Sequence, residues 1–171
     1  MAIDMSRLSK AKQENIDSII DCILAEIGKT CPENTILDII KSLNIDVLQA
    51  DFDAMGMADV SGVIIRRENE KPVIFINENQ SERRKVFTMA HELGHFIMNH
   101  EGKENYRLDR QDYSKGSEDE TEANYFAASI LMPKKRFIET YNLLKSERLT
   151  AEYFGVSIAA VRARKTWIMA N

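Results

Sequence analysis

The sequence predicts an α+β fold. A small three-stranded sheet containing an antiparallel pair packs on one helix, and further helices lie on that helix's other side. Three observations carry this. Isoleucines and leucines recur at spacings of three and four over residues 16–27 and again over 36–43. Two β-branched runs, 61–67 (SGVIIRR) and 72–77 (PVIFIN), flank the polar turn 68–71. Helical patterns precede and follow these runs, and that order is typical of α+β layering. The composition agrees, with 44% hydrophobic and 29% charged residues, 7 Gly and 3 Pro, which excludes disordered and collagen-like chains.

Taken in order, residues 6–28 read as a helix whose apolar face is Ile16, Ile19, Ile20, Ile23, Leu24 and Ile27, with Gly28 placed to end it. Thr30-Cys31-Pro32-Glu33 has the form of a capping box with Pro in the first turn. The second helix carries Ile36, Ile39, Ile40 and Leu43 and stops near Asn44. Residues 45–49 form a short strand and 51–59, with Gly56, a loop. The two stronger runs form a hairpin. Ser81 is a suitable N-cap for a helix over 82–99, and residues 101–117 read as a polar surface excursion. A helix over 118–131 stops at Met132-Pro133. The next helix aligns Phe137, Tyr141 and Leu144 on one face, and two short helices broken at Gly155-Val156-Ser157 close the chain. We read 1–171 as one domain: an N-terminal helix (1–29), a core (30–145) and a helical tail (146–171).

The helix over 82–99 is apolar on two faces. Val86, Met89, Ala90, Leu93 and Ile97 form one stripe, while Phe87 and Met98 flank His91 and His95 on the other side. Such a helix is sandwiched. The sheet is expected on one side and the later helices on the other, with both histidines in the interior.

The charge balance, 23 basic against 27 acidic residues for a net −4, argues against a whole-surface nucleic-acid footprint. Cys22 and Cys31 are too few for a disulfide framework and read as reduced thiols. The polar N-terminus shows no secretory pattern and no apolar run is long enough to span a bilayer, so a cytoplasmic location is expected.

His91-Glu92-Leu93-Gly94-His95 is an HExxH motif. On a helix the two imidazoles stand one turn apart and aim at one point, where they can grip a single Zn²⁺. Glu92 leaves the same turn at another angle and can act as general base for a zinc-activated water that attacks a peptide carbonyl. With 3 histidines in 171 residues, chance places this motif in roughly half a percent of such chains, so a pair of merely structural histidines is the weaker reading. Catalytic zinc needs a third protein ligand. The metzincin spacing would put Gly and His at positions held by Met98 and Glu101, so it fails, and His100 reads as a partly exposed helix-end residue. The alternative is a carboxylate on a later helix, the gluzincin arrangement of a zincin-like fold. Glu118, Asp119, Glu120 and Glu122 are the candidates, and Glu122 stands where that helix enters the core.

Three segments, EKPVIFINENQSERRKVFTMAHELGHFIMNH, EDETEANYFAASILMP and AEYFGVSIAAVRAR, together resemble the ImmA/IrrE family of bacterial and phage metallopeptidases. The resemblance spans about residues 30–169. It implies Glu92 as general base and His91, His95 and Glu122 as zinc ligands. It also implies cleavage of a helix-turn-helix repressor, which relieves repression. An N-terminal helix-turn-helix and a C-terminal sensor domain, carried by some members, are not expected here, which favours the short mobile-element or phage type.

Asn124 is a candidate to orient a ligand, and Tyr106 to donate to the oxyanion. Two rival functions compete. Ala151, Gly155 and Val161 have helix-turn-helix spacing, followed by Arg162, Arg164 and Lys165, which would suit DNA recognition. If the tail instead belongs to the core, Phe154, Val156 and Val161 should be buried. A catalytically silent module that only binds a repressor is the other rival. For a peptidase, the substrate is expected to lie extended along a sheet edge formed by 72–77 or 61–67, and the cut to fall in a loop or destabilised helix.

Overall fold

The computed structural model describes residues 8–28, 31–32, 35–100, 106–110 and 118–170. Helix α1 (Lys10–Ile27) begins where the Ser9 hydroxyl accepts the Lys12 N–H and ends at Gly28, whose φ of 75° lets its N–H reach the Leu24 carbonyl. Ile16, Ile20, Ile23 and Leu24 form its buried face. Helix α2 (Ile36–Ser42) starts one capping box later than expected. Thr35 caps it, and Asp38 reaches back to the Thr35 N–H. The expected box at Thr30 and Glu33 lies outside the described residues.

The sheet holds one strand more than expected. β1 (Asp46–Ala50), β2 (Val60–Ile65), β3 (Val73–Asn77) and β4 (Tyr106–Arg110) lie in the order β1-β3-β2-β4. β2 and β3 form the expected antiparallel hairpin, β1 runs parallel to β3, and β4 pairs antiparallel with β2. β4 falls within the stretch read as a surface excursion. Both strands offered as sheet edges, 61–67 and 72–77, are therefore interior, and the outer strands are β1 and β4. One face of the sheet carries a small cluster of Phe52, Val60 and Val63 beneath the 51–59 loop.

The other face carries α3 (Glu82–Ile97), which packs on β2 and β3 and meets α4 (Glu118–Leu131) on its far side. Residues 90–95 are all buried, as a sandwiched helix requires. Ser81 occupies the N-cap position of α3 without a side-chain cap bond. Helix α4 is buried at Thr121 and continuously over 123–131, because α3, α1 and α7 all pack against it. Helices α5 (Lys134–Leu144), α6 (Glu147–Phe154) and α7 (Ile158–Ala170) complete the chain. Phe154, Val156 and Val161 are buried, and Phe154 stacks on Phe137 of α5 at 6.1 Å. One apolar cluster extends from Leu8 to Trp167 and so joins the first helix to the last. Both cysteines are free, and burial pushes the Cys31 thiol up to about 12. Among the described residues no helix is long and apolar enough to cross a membrane.

Candidate metal centre

The site forms where α3 crosses α4, and a glycine permits the crossing. A Cβ at Gly94 would lie 3.2 Å from both the Ala123 Cα and the Phe126 Cβ, so a larger residue would push the helices apart. With the helices this close, residues at i, i+3, i+4 and i+7 of α4 face α3: Glu120, Ala123, Asn124 and Ala127.

His91 and His95 are fully buried and turn their Nε2 atoms toward each other at 2.9 Å. The Glu120 carboxylate closes the triangle, with oxygens 3.2 Å from His91 Nε2 and 3.6 Å from His95 Nε2. All three ligand atoms lie within 4.8 Å of one another. Tetrahedral ligands held about 2.05 Å from one zinc ion stand about 3.3 Å apart, so these separations fit a single ion with a coordination position left open. Burial opposes ionisation of Glu120. Hydrogen bonding and charge interaction with His91 and His95 outweigh it and hold the carboxyl well below the usual range. The donor set is therefore two imidazoles and a carboxylate.

The polar surroundings suit that role. Asn124 Oδ1 lies 3.1 Å from His91 Nδ1. A carbonyl oxygen can only accept, so His91 carries a proton on Nδ1, which would leave Nε2 to a bound ion. Glu92 is fully buried and leans on β2, where Gly62 makes room: a Cβ there would lie 3.3 Å from the Glu92 Cγ and 2.5 Å from the Thr88 Cγ2.

Glu122, the expected third ligand, does not join His91 and His95; the carboxylate the structure brings to them is that of Glu120. Two residues further along a helix means about 200° of rotation. Glu118, Glu122 and Tyr125 thus share the face of α4 that looks at α1. There Lys12 Nζ pairs with Glu122 and, at 2.7 Å, with Glu118, while the Tyr125 hydroxyl donates to Asp17 at 2.8 Å. The other Glu122 oxygen lies 3.0 Å from His100 Nε2.

Comparison with known families places the chain. The profile of the IrrE N-terminal-like domain, a peptidase family, matches residues 40–166. The chain belongs to the IrrE N-terminal-like family. A search of curated proteins finds no match. The matched span contains all four strands and α3 to α6, ends within α7, and leaves α1 outside it. Membership supports a metallopeptidase-type function acting on protein.

Two residues of this IrrE-like domain escaped the sequence reading. His100 is the partly exposed helix-end residue expected, but its side chain turns inward and is only 6% exposed. Arg66 donates to the His95 carbonyl at 2.6 Å and to Asn99 Oδ1 at 2.7 Å, and its guanidinium lies 4.8 Å from the Phe96 ring centre. It thereby ties the carbonyl end of α3 to β2, where a cation is favoured. Tyr106 opens β4 opposite Ile65, and its side chain lies outside the described residues. The tail's basic residues are engaged within the fold. Arg164 is buried and donates to the Met132 carbonyl and Ser129, Arg162 pairs with Glu147, and Lys165 bonds the Tyr141 hydroxyl.

Proposed function

We propose that the chain is a zinc-dependent endopeptidase of the cytoplasm that cleaves a helix-turn-helix repressor and so relieves repression. The observation that carries the catalytic part is the convergence of His91, His95 and Glu120 beside a buried Glu92. The repressor as substrate rests on the resemblance to ImmA/IrrE proteins.

His91, His95 and Glu120 would hold the ion, and Asn124 would fix the His91 ring. Bound there, an ion would supply Lewis-acid polarisation of the scissile carbonyl and would lower the pKa of the attacking water. Glu92 takes the proton from that water and later returns it to the leaving amine. Its burial between α3 and β2 leaves the carboxylate few alternative orientations, so it is held for the transfer before substrate arrives. The N-terminal helix, core and tail act as one peptidase unit. The substrate lies extended against β4, the sheet edge nearest Glu92 in strand order, and makes backbone hydrogen bonds along it. A helix cannot bind in that way, so the cut falls in a loop or a destabilised helix.

The engaged tail arginines and lysine favour protein over DNA as the partner. Metal analysis of purified protein, followed by incubation with helix-turn-helix repressors and mass mapping of products, tests the proposal. One zinc per chain and a single cut in a loop or frayed helix are expected. Digestion confined to short unrelated peptides, or repressor binding without any cut, would refute it.

A further inference from the structure

We propose that His100 is a positioning residue for His95, held in place by Glu122 and Lys12, so that the N-terminal helix forms part of the metal centre. The inference rests on the metal reading of His91, His95 and Glu120 given above.

The backbone brings His100 to this position. Asn99 adopts φ 52°, the left-handed conformation that ends a helix. The His100 N–H then bonds the His95 carbonyl at 3.0 Å, and the Asn99 N–H bonds the Phe96 carbonyl at 3.2 Å. This double closure is a Schellman cap, which places the residue after the left-handed one against the residue five back. Here that pair is His100 and His95. Their Nδ1 atoms lie 2.9 Å apart. With an ion on His95 Nε2, its proton would sit on Nδ1 and be donated to His100 Nδ1. The proton of His100 then lies on Nε2 and is donated to Glu122, 3.0 Å away. Lys12 of α1 grips the other Glu122 oxygen. The chain Lys12, Glu122, His100, His95 thus fixes the tautomer and ring angle of one ligand, as Asn124 does for the other. Lys12 also offsets the charge of Glu118 and Glu122 on the side of α4 away from the ion. Since α1 lies outside the family match, this support is a feature of the chain beyond the matched domain.

Side-chain geometry supplies the test. Asn carries its oxygen where His carries Nδ1, and Gln carries its amide nitrogen where His carries Nε2. His100→Asn therefore keeps an acceptor for His95, whereas His100→Gln keeps only the donor to Glu122. The measurement is Co²⁺ titration of the full chain, following the visible ligand-field absorption of a tetrahedral site, with chelator competition for affinity. Wild type should bind one Co²⁺. His100→Gln should weaken binding about 10–100-fold, and His100→Asn should recover most of that loss. Lys12→Met, at a half-exposed ion pair, should cost about two- to fivefold, and Lys10→Met, on the α1 surface, nothing. Circular dichroism of the metal-free proteins checks folding. Should the His100 variants not fold, the Lys12→Met and Lys10→Met pair decides the matter alone. Wild-type affinity in both His100 variants, equal weakening in both, or equal affinity in the two lysine variants would overturn the inference. If wild type itself shows no tetrahedral Co²⁺ spectrum, the metal reading fails first and this inference with it.

Discussion

Asn124 accepts from the Nδ1 side of His91 across the α3–α4 interface, with 3.1 Å between the two atoms and both side chains buried. A ligand that is oriented in this way enters the site in one tautomer. Replacing Asn124 with Leu keeps the γ-branched shape and removes the acceptor. Metal affinity should fall about 10–100-fold, and a buried donor left without its acceptor should cost about 1–3 kcal/mol of stability. Asn124→Asp, which restores an acceptor, should retain the ion. Chelator competition and denaturant unfolding check both parts.

Glu92→Gln should keep the fold and the ion and lose about 10²–10⁴-fold in cleavage rate, because the amide cannot take a proton. Rates on the repressor substrate, with metal content measured in parallel, test this. Wild-type turnover in the variant would assign the proton transfer to another group.

Gly62 lets β2 approach α3 beside Glu92. A Cβ there would meet the Thr88 Cγ2 at 2.5 Å and the Phe75 carbonyl oxygen at 3.2 Å. Gly62→Ala should therefore destabilise by about 1–3 kcal/mol through overpacking. Thr88→Ser removes the closest methyl, so the double variant should recover much of that loss. A double-mutant cycle in urea measures the coupling.

Much of this site was legible in the sequence. HExxH on a helix apolar on two faces dictates a buried pair of histidines between two layers, and that is where His91 and His95 lie. The choice between Glu120 and Glu122 turns on helical phase. Glu120 and Asn124 are four apart, with Ala123 and Ala127 small on the same face, and small residues mark the side on which two helices approach closely. The apolar run after Glu122 does not set the phase, because α4 is buried continuously over 123–131 and that run gives no direction. The cap of α2 was readable too, since Thr35 immediately precedes the first periodic apolar residue. β4 was not. Tyr106–Arg110 reads YRLDR, with too few apolar residues to signal a strand, and its place is given by backbone pairing to β2. His100 depended on a left-handed Asn99, which sequence spacing alone does not reveal.

The Glu122 carboxyl links the site to pH. Burial works against its ionisation, but hydrogen bonds and charge from Lys12 and His100 outweigh that and lower its pKa. A carboxyl that is lowered on folding stabilises the protein above its unfolded value, about 4.3, and this contribution is lost as pH falls through the lowered folded value. In metal-free protein, stability should thus decline more steeply below about pH 4.3 in wild type than in Glu122→Gln. Urea midpoints across that range test it, and parallel curves would show that the carboxylate makes no such contribution.

The central claim is that His91, His95 and Glu120 hold one catalytic ion. Anomalous scattering from a zinc-loaded crystal at the zinc edge measures this most directly. A single peak about 2.0–2.2 Å from His91 Nε2, His95 Nε2 and a Glu120 oxygen is predicted. A peak coordinated by Glu122 in place of Glu120, or no peak between the two histidines, would contradict the account.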